Sequence, residues 1–299
     1  MKRRTLGRTG LQVSELGFGA LEIGRHWPYW RQDREDFTRP DEASAVRVLR
    51  AAIDHGINFF DTAPAYQDSE RILGKAFKGV RGEVLIGTKC GEWFDGERSV
   101  YDYSFHETKR FIENSLRQLQ TDYVDLLQIH SASLEVVRKG ETLAAMQEAK
   151  REGKTRFLGL STEDPAAALE AVSSGAFDAV QVSYNAMNSL FARETFEAAR
   201  AAGVGIIVKD AVARGKLSAK LIDVTDAGER AELERLRGIA ADAGMTVTEL
   251  ALRFVLSDDR VSTVIAGTKS TEHLAMNAAS AGRGPLPVEV LRRIDEAGR

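Results

Sequence analysis

Eight short apolar runs, each followed by a stretch with helical periodicity, recur from one end of the chain to the other. That alternation limits the fold more than any other feature. The runs lie at 16–19, 57–60, 84–87, 124–129, 156–160, 179–182, 205–208 and 263–266. Being compact and almost wholly apolar, they suit strands covered on both faces, as a parallel sheet requires. Between them the period changes to that of a helix. Val46, Leu49 and Ile53 share one face, with Asp41 as N-cap and Gly56 as the stop. Ile72, Leu73, Ala76 and Phe77 repeat the pattern, as do Ile112, Leu116 and Leu119, and Val247, Leu250, Ala251 and Phe254.

Eight strand–helix units close naturally into a (β/α)8 TIM barrel, an α/β fold; a doubly wound open sheet is the competitor. Three segments exceed the minimum. Residues before Leu16 read as a β-hairpin plugging the barrel bottom, with Gly7 and Gly10 as turn residues. Residues 227–243 add a helix before strand eight, and 287–299 read as a terminal helix. No linker or low-complexity tract divides the 299 residues, so one domain, 1–299, is expected.

Charge narrows the partners. A net charge of −3 and a pI near 6.0 argue against a nucleic-acid backbone or an anionic membrane surface. The basic Met1-Lys2-Arg3-Arg4 precedes no apolar run, so no secretory leader is expected. The single cysteine, Cys90, has no disulfide partner within the chain, and no Cys/His cluster has metal-site spacing. A reducing cytoplasm is the expected location, no metal is expected, and the oligomeric state is open.

In such a barrel the chemistry sits at the C-terminal ends of the strands. There the chain offers Asp61 and, just beyond it, Tyr66; then Lys89; then His130; then Ser161. Asp61 and Lys89 can pair, and a nearby ammonium favours phenolate, lowering the Tyr66 pKa. His130 can donate a hydrogen bond to a carbonyl oxygen and fix its orientation. A phenol so tuned can protonate a developing alkoxide. Taken singly, each residue has a plainer reading as a packing, capping or solvated side chain. Four at consecutive strand ends are hard to explain that way.

The segment Gly56-Ile57-Asn58-Phe59-Phe60-Asp61-Thr62-Ala63-Pro64-Ala65-Tyr66, with Ser69-Glu70 and Leu73-Gly74, resembles the aldo-keto reductase signature. Thr88-Lys89 is similar to that family's lysine segment, 122–130 to its histidine strand, and 153–161 to its fifth-strand segment. The resemblance implies catalytic roles for Asp61, Tyr66, Lys89 and His130. It implies that Ser161 and Gln181 hold a nicotinamide carboxamide. Gly267, Thr268, Lys269 and Ser270 resemble the loop that grips an adenosine 2′-phosphate, with His273 and Asn277 on the adenine side. NADP(H) is therefore the expected cofactor, NAD(H) the other possibility. An ordinary capping box is the alternative reading of 269–272.

Lys209 stands where many members carry an aromatic that stacks on the nicotinamide. Its alkyl stem can cover the ring while its ammonium reaches a phosphate, unless Asp210 neutralises it. Arg214-Gly215-Lys216 reads either as a pyrophosphate cradle or as a solvated charge cluster. Trp27, Trp30 and Trp93 occupy two loops at the same barrel face and are expected to wall the substrate pocket, suiting a sugar or an aromatic aldehyde. Cys90 is expected to turn toward the barrel wall, where it is inert. The expected activity is hydride transfer between NADP(H) and an aldehyde or ketone, or the corresponding alcohol. The rivals are an NADP(H)-binding regulatory subunit with little catalysis and a metal-dependent barrel enzyme using Asp61 and His130 as ligands.

Overall fold

The computed structural model describes residues 1–26, 38–188, 192–218 and 224–296. Two antiparallel strands come first, β1 (Arg3–Thr5) and β2 (Gln12–Ser14). The chain then enters the barrel through β3 (Leu16–Gly19), β4 (Phe59–Asp61) and β5 (Leu85–Cys90). A separate antiparallel hairpin follows, β6 (Glu92–Phe94) and β7 (Ser99–Tyr101). The barrel resumes with β8 (Val124–Ile129), β9 (Thr155–Ser161), β10 (Ala179–Ser183), β11 (Gly205–Lys209) and β12 (Val261–Ala266). The eight strands pair in parallel in chain order and close where β12 meets β3, Ile265 opposite Gly17. The open-sheet competitor is thereby excluded.

Several strands run one to three residues beyond their apolar runs, to Asp61, Cys90, Ser161, Ser183 and Lys209. Most of the added residues are polar, so hydropathy ends the run early while the backbone ladder continues. Alternation along a strand explains why they are there. On β4, β8, β10 and β11 the residues Phe59, Leu126, Ala179 and Ile207 pack in the barrel interior, against Leu6, Leu11 and Val13 of the N-terminal hairpin. Two residues further along, Asp61, Gln128 and Gln181 take the same face. Phe60, Leu127, Val180 and Val208, of opposite parity, join the large core between barrel and helices. The interior is thus apolar at its floor and polar at its mouth.

Phe59 fills that floor because two neighbours have no side chain. A Cβ on Gly87 would lie 3.0 Å from the Phe59 ring, and one on Gly17 would lie 3.2 Å from it. Burying one such phenyl group contributes roughly 1.5–3 kcal/mol. The plug is tied to the start of β12 and the turn before it as well, through Arg4, whose guanidinium donates to the carbonyls of Leu256, Asp258 and Val261 and pairs with Glu15.

The helices form where periodicity and caps place them. Glu42–Asp54 opens with Asp41 accepting from the Ser44 amide, and Gly56 follows at φ 81°. The helix added before strand eight spans Ala227–Asp242, and the terminal one Val288–Asp295. The β6–β7 hairpin has no counterpart in the sequence reading, since its strands are three residues long and of mixed polarity.

Candidate active site

Two consecutive strands and the turn after the first deliver the central group. Asp61 closes β4, and Lys89 sits one residue before the end of β5. Tyr66 stands on the short 3-10 turn Pro64–Tyr66, which Pro64 opens and which is followed by Gln67 at φ 52°. The Ser69 hydroxyl ties this loop to β3 by donating to the Ala20 carbonyl and meeting Thr62 Oγ1 at 2.8 Å. The result is a fan of contacts on one ammonium. Lys89 Nζ donates to Asp61 Oδ1 at 2.6 Å, to the Thr62 carbonyl at 3.0 Å and to Tyr66 Oη at 3.2 Å.

Asp61 is held from the other side. Its Oδ2 accepts from Gln181 Nε2 at 2.8 Å and from Gln128 Nε2 at 3.2 Å. A buried carboxylate with one cation and two amide donors has its lone pairs satisfied, which is what makes burial tolerable. Burial opposes the Lys89 ammonium, but Asp61 and then Tyr66 outweigh it, so its pKa rises. Tyr66 departs from the sequence expectation. Its pKa lies above the ordinary 10.0, because burial outweighs the lowering by Lys89, and Asp61 adds to the rise. The ammonium moderates a desolvated phenol here; it does not bring its pKa below that of a free one.

His130 follows β8, and its ring meets that of Tyr66 edge-on with centroids 5.8 Å apart. Burial first, then the charges of Lys89, Lys209 and Arg25, holds its pKa well below 6.5, so the imidazole is neutral. Its Nδ1 lies 3.1 Å from Glu92 Oε2, in an approach too oblique for a linear hydrogen bond. The four expected catalytic residues therefore meet at one mouth.

The residues assigned to the dinucleotide are spread around them. The Ser161 hydroxyl donates to Gln181 Oε1 at 2.9 Å, so both sit beside Asp61. Thr162 is committed to backbone, donating to the Ala132 carbonyl and accepting from the Asp164 amide. Lys209 Nζ lies 2.9 Å from Glu163 Oε1 and 3.4 Å from Ser161 Oγ. Its partner is thus Glu163, and Asp210 instead accepts from the Arg214 amide. Lys216 pairs with Glu229. Beyond β12, Ser270 caps the helix Thr271–Gly282 by accepting from the His273 amide, as the capping reading of this segment expects. Lys269 Nζ donates to the Thr38 carbonyl at 2.7 Å. Gly267 packs so close to β3 that a Cβ would fall 2.9 Å from the Gly19 carbonyl oxygen. Asn277 lies on the same helix, partly buried.

Trp27 and Trp30 lie outside the described residues. Trp93 packs on Phe111, rings 5.8 Å apart, while its neighbour Phe94 lies under the Arg25 guanidinium at 4.3 Å. Cys90 is fully buried in the outer core and burial raises its thiol pKa, as its expected inertness requires. Among the described residues no three His, Cys, Asp or Glu side chains gather as a metal-binding group, and no helix is long and apolar enough to cross a membrane.

Three site residues escaped the sequence reading. Gln128 was legible in principle, as a polar residue inside an apolar strand with the parity of His130. Glu92 and Glu163 carried no comparable signal, because only the folded loops bring them to His130 and Lys209.

Known proteins resemble this chain over nearly its whole length. The profile of the aldo/keto reductase family matches residues 15–299. The L-galactose dehydrogenase of Arabidopsis thaliana is 32% identical, over 93% of this chain and 87% of its own. The NADH-specific methylglyoxal reductase of Escherichia coli (strain K12) is 27% identical, over 94% of this chain and 93% of its own. Among solved structures, the holo form of aldo-keto reductase AKR11C1 from Bacillus halodurans superposes with a TM-score of 0.86 at 32% identity, covering 99% of this chain and 96% of that one. Closed barrel, acid–phenol–ammonium–imidazole mouth and matching profile lead to one conclusion: the chain belongs to the aldo/keto reductase family of oxidoreductases.

Proposed function

We propose that the protein is an NADP(H)-dependent oxidoreductase interconverting a small aldehyde or ketone with its alcohol, with Tyr66 as the group that gives and takes the proton. The observation that carries this reading is the 3.2 Å contact from Lys89 Nζ to Tyr66 Oη, backed by Asp61 at 2.6 Å. A cation there stabilises negative charge on the phenolic oxygen when the proton leaves it. The low-dielectric surroundings strengthen that effect.

The chain's residues fit a nicotinamide dinucleotide. Ser161 and Gln181 present hydroxyl and amide groups beside Asp61, suited to a carboxamide. The first turn of the helix Thr271–Gly282, preceded by Lys269 and Ser270, has the amide groups and charge that suit a phosphate. Gly267, Thr268, Lys269, Ser270, His273 and Asn277 would hold the adenosine end, and Lys209 would lie near the nicotinamide end. The bound nicotinamide supplies or accepts the hydride. The protein's own part is to orient the reacting carbon through His130, to keep Lys89 charged, and to move one proton at Tyr66 Oη.

NADP(H) is favoured over NAD(H) through Lys269 and its neighbours, although one relative is named as NADH-specific. A relative named for L-galactose favours a sugar among the carbonyl compounds, with aromatic aldehydes next. The test is a fluorescence titration with NADPH and NADH, followed by turnover on aldoses and aromatic aldehydes. Tight NADPH binding with turnover supports the reading. Binding without turnover on any carbonyl compound points instead to a regulatory subunit.

A further inference from the structure

We infer that Lys209 makes the barrel mouth discriminate between the two redox forms of a nicotinamide, holding the neutral reduced ring and repelling the positively charged oxidised one, which turns the protein toward carbonyl reduction. The inference deepens the proposed function and rests on it.

Strand register brings the charge inward. In the barrel β10 lies between β9 and β11, with Gln181 opposite Ser161 and Ser183 opposite Lys209. Lys209 comes two residues after Ile207, which packs in the barrel interior, so alternation gives it the same face. Its Nζ lies 3.4 Å from Ser161 Oγ, and that hydroxyl donates to Gln181 Oε1 at 2.9 Å. The ammonium thus stands against the two groups suited to a nicotinamide carboxamide.

Its counter-charge is the more exposed of the pair. Glu163 Oε1 lies 2.9 Å from Nζ and also accepts the Ser183 hydroxyl at 2.8 Å. The Glu163 side chain is 55% exposed, against 24% for Lys209. Water screens the outer carboxylate more than the inner ammonium, so the two do not cancel within the mouth. His130 registers the sign of the field there. After burial, the charges acting on its pKa are Lys89, Lys209 and Arg25, all positive. Lys89 is answered at 2.6 Å by the buried Asp61, whereas Lys209 has the exposed Glu163.

That field separates the two forms of the cofactor. A dihydronicotinamide ring is neutral. In reduction the hydride ends on the carbonyl carbon and the Tyr66 proton on its oxygen, which leaves the ring with one positive charge. Lys209 therefore opposes the oxidised form and is indifferent to the reduced one. The aromatic residue that many family members carry at this place does the opposite, since a π-face attracts a cation. The dinucleotide phosphates are the same in both forms, so a contact to them cannot discriminate. With the oxidised form the weaker ligand, it leaves readily after reduction, and alcohol oxidation starts from a poorly held cofactor.

The test reads binding, not turnover. Quenching of protein fluorescence gives the Kd of NADPH and of NADP⁺ for the full chain at one pH and ionic strength. NADPH is expected to bind about tenfold more tightly than NADP⁺, the effect of one partly screened charge. Lys209→Met should remove that ratio, chiefly by tightening NADP⁺, and Glu163→Gln, which leaves the ammonium without its counter-charge, should widen it. A ratio near one in the unaltered protein, or one that Lys209→Met leaves intact, overturns the inference. Equal weakening of both forms in Lys209→Met would assign the ammonium to a phosphate instead. Failure of either dinucleotide to bind the unaltered protein would sink the proposed function itself, and this inference with it.

Discussion

Lys89 Nζ lies 2.6 Å from Asp61 Oδ1, and the side chains are 0% and 5% exposed. Two opposite charges so deeply buried stay in the fold only as a pair. Removing one leaves the other without compensation. Lys89→Met should therefore destabilise the protein by about 3–5 kcal/mol. The double variant Lys89→Met/Asp61→Asn should recover much of that stability while remaining inactive. Denaturant midpoints of the two single variants and the double variant measure the coupling. Simply additive losses would show that the pair is not a unit.

Tyr66→Phe removes the proposed proton carrier and leaves the barrel packing in place. Turnover should fall by roughly 10²–10⁴-fold, the usual worth of a positioned acid or base. Dinucleotide affinity, read by quenching of protein fluorescence, should stay close to that of the unaltered protein. Unchanged turnover would remove Tyr66 from the mechanism.

The pH dependence follows from two directions of shift. The Tyr66 pKa is raised above 10.0 in the free protein, so its phenol keeps the proton through the neutral range. For carbonyl reduction kcat/KM should then be flat there and decline only at strongly alkaline pH. For alcohol oxidation, which needs the phenolate, it should climb about tenfold per pH unit over the same range. His130 is held well below 6.5, so neither profile should show a limb at that pH. A limb near 6.5 would place a titrating imidazole in the site.

Glu70 stands behind the lysine strand, fully enclosed, accepting the Thr88 hydroxyl at 2.5 Å. Burial raises its carboxyl from 4.5 to about 7. Between those values it is protonated in the fold and ionised in the unfolded chain. Stability contributed by this group is therefore lost as pH rises through that window. Above it the cost levels off at roughly 3 kcal/mol. Glu70→Gln, which keeps an acceptor for Thr88, should flatten this dependence and be the more stable protein at pH 8. Urea midpoints across the window decide it; parallel curves for the two proteins would contradict the assignment.

Lys269 carries the preference for a 2′-phosphate in the proposed function. Lys269→Ala should weaken NADPH binding by about tenfold, the equivalent of one charge-assisted contact, and leave NADH binding unaltered. Equal losses for both dinucleotides would assign Lys269 to holding the loop through the Thr38 carbonyl.

What the sequence by itself determined was the set of units and the candidate residues at the barrel mouth. Strands buried on both faces must be apolar, helices between them must be one-sided, and caps such as Asp41 mark where they start, so eight units were legible in period, and their number favoured closure over an open sheet. Asp61, Lys89 and His130 were legible because each falls at a strand end, where the barrel keeps its open face, and Tyr66 because it follows Asp61 within the segment that resembles the family signature. Tertiary structure alone decided how those groups are charged and aimed. Whether Lys89 lowers the Tyr66 pKa depends on how far burial opposes it, and desolvation is a property of the enclosed volume. That Lys209 meets Glu163, that Gln128 and Gln181 hold Asp61, and that Glu92 faces His130 follow from strand register and loop folding. Local sequence sets which face a residue takes on its own strand; what lies across the barrel mouth is fixed only when all eight strands have closed.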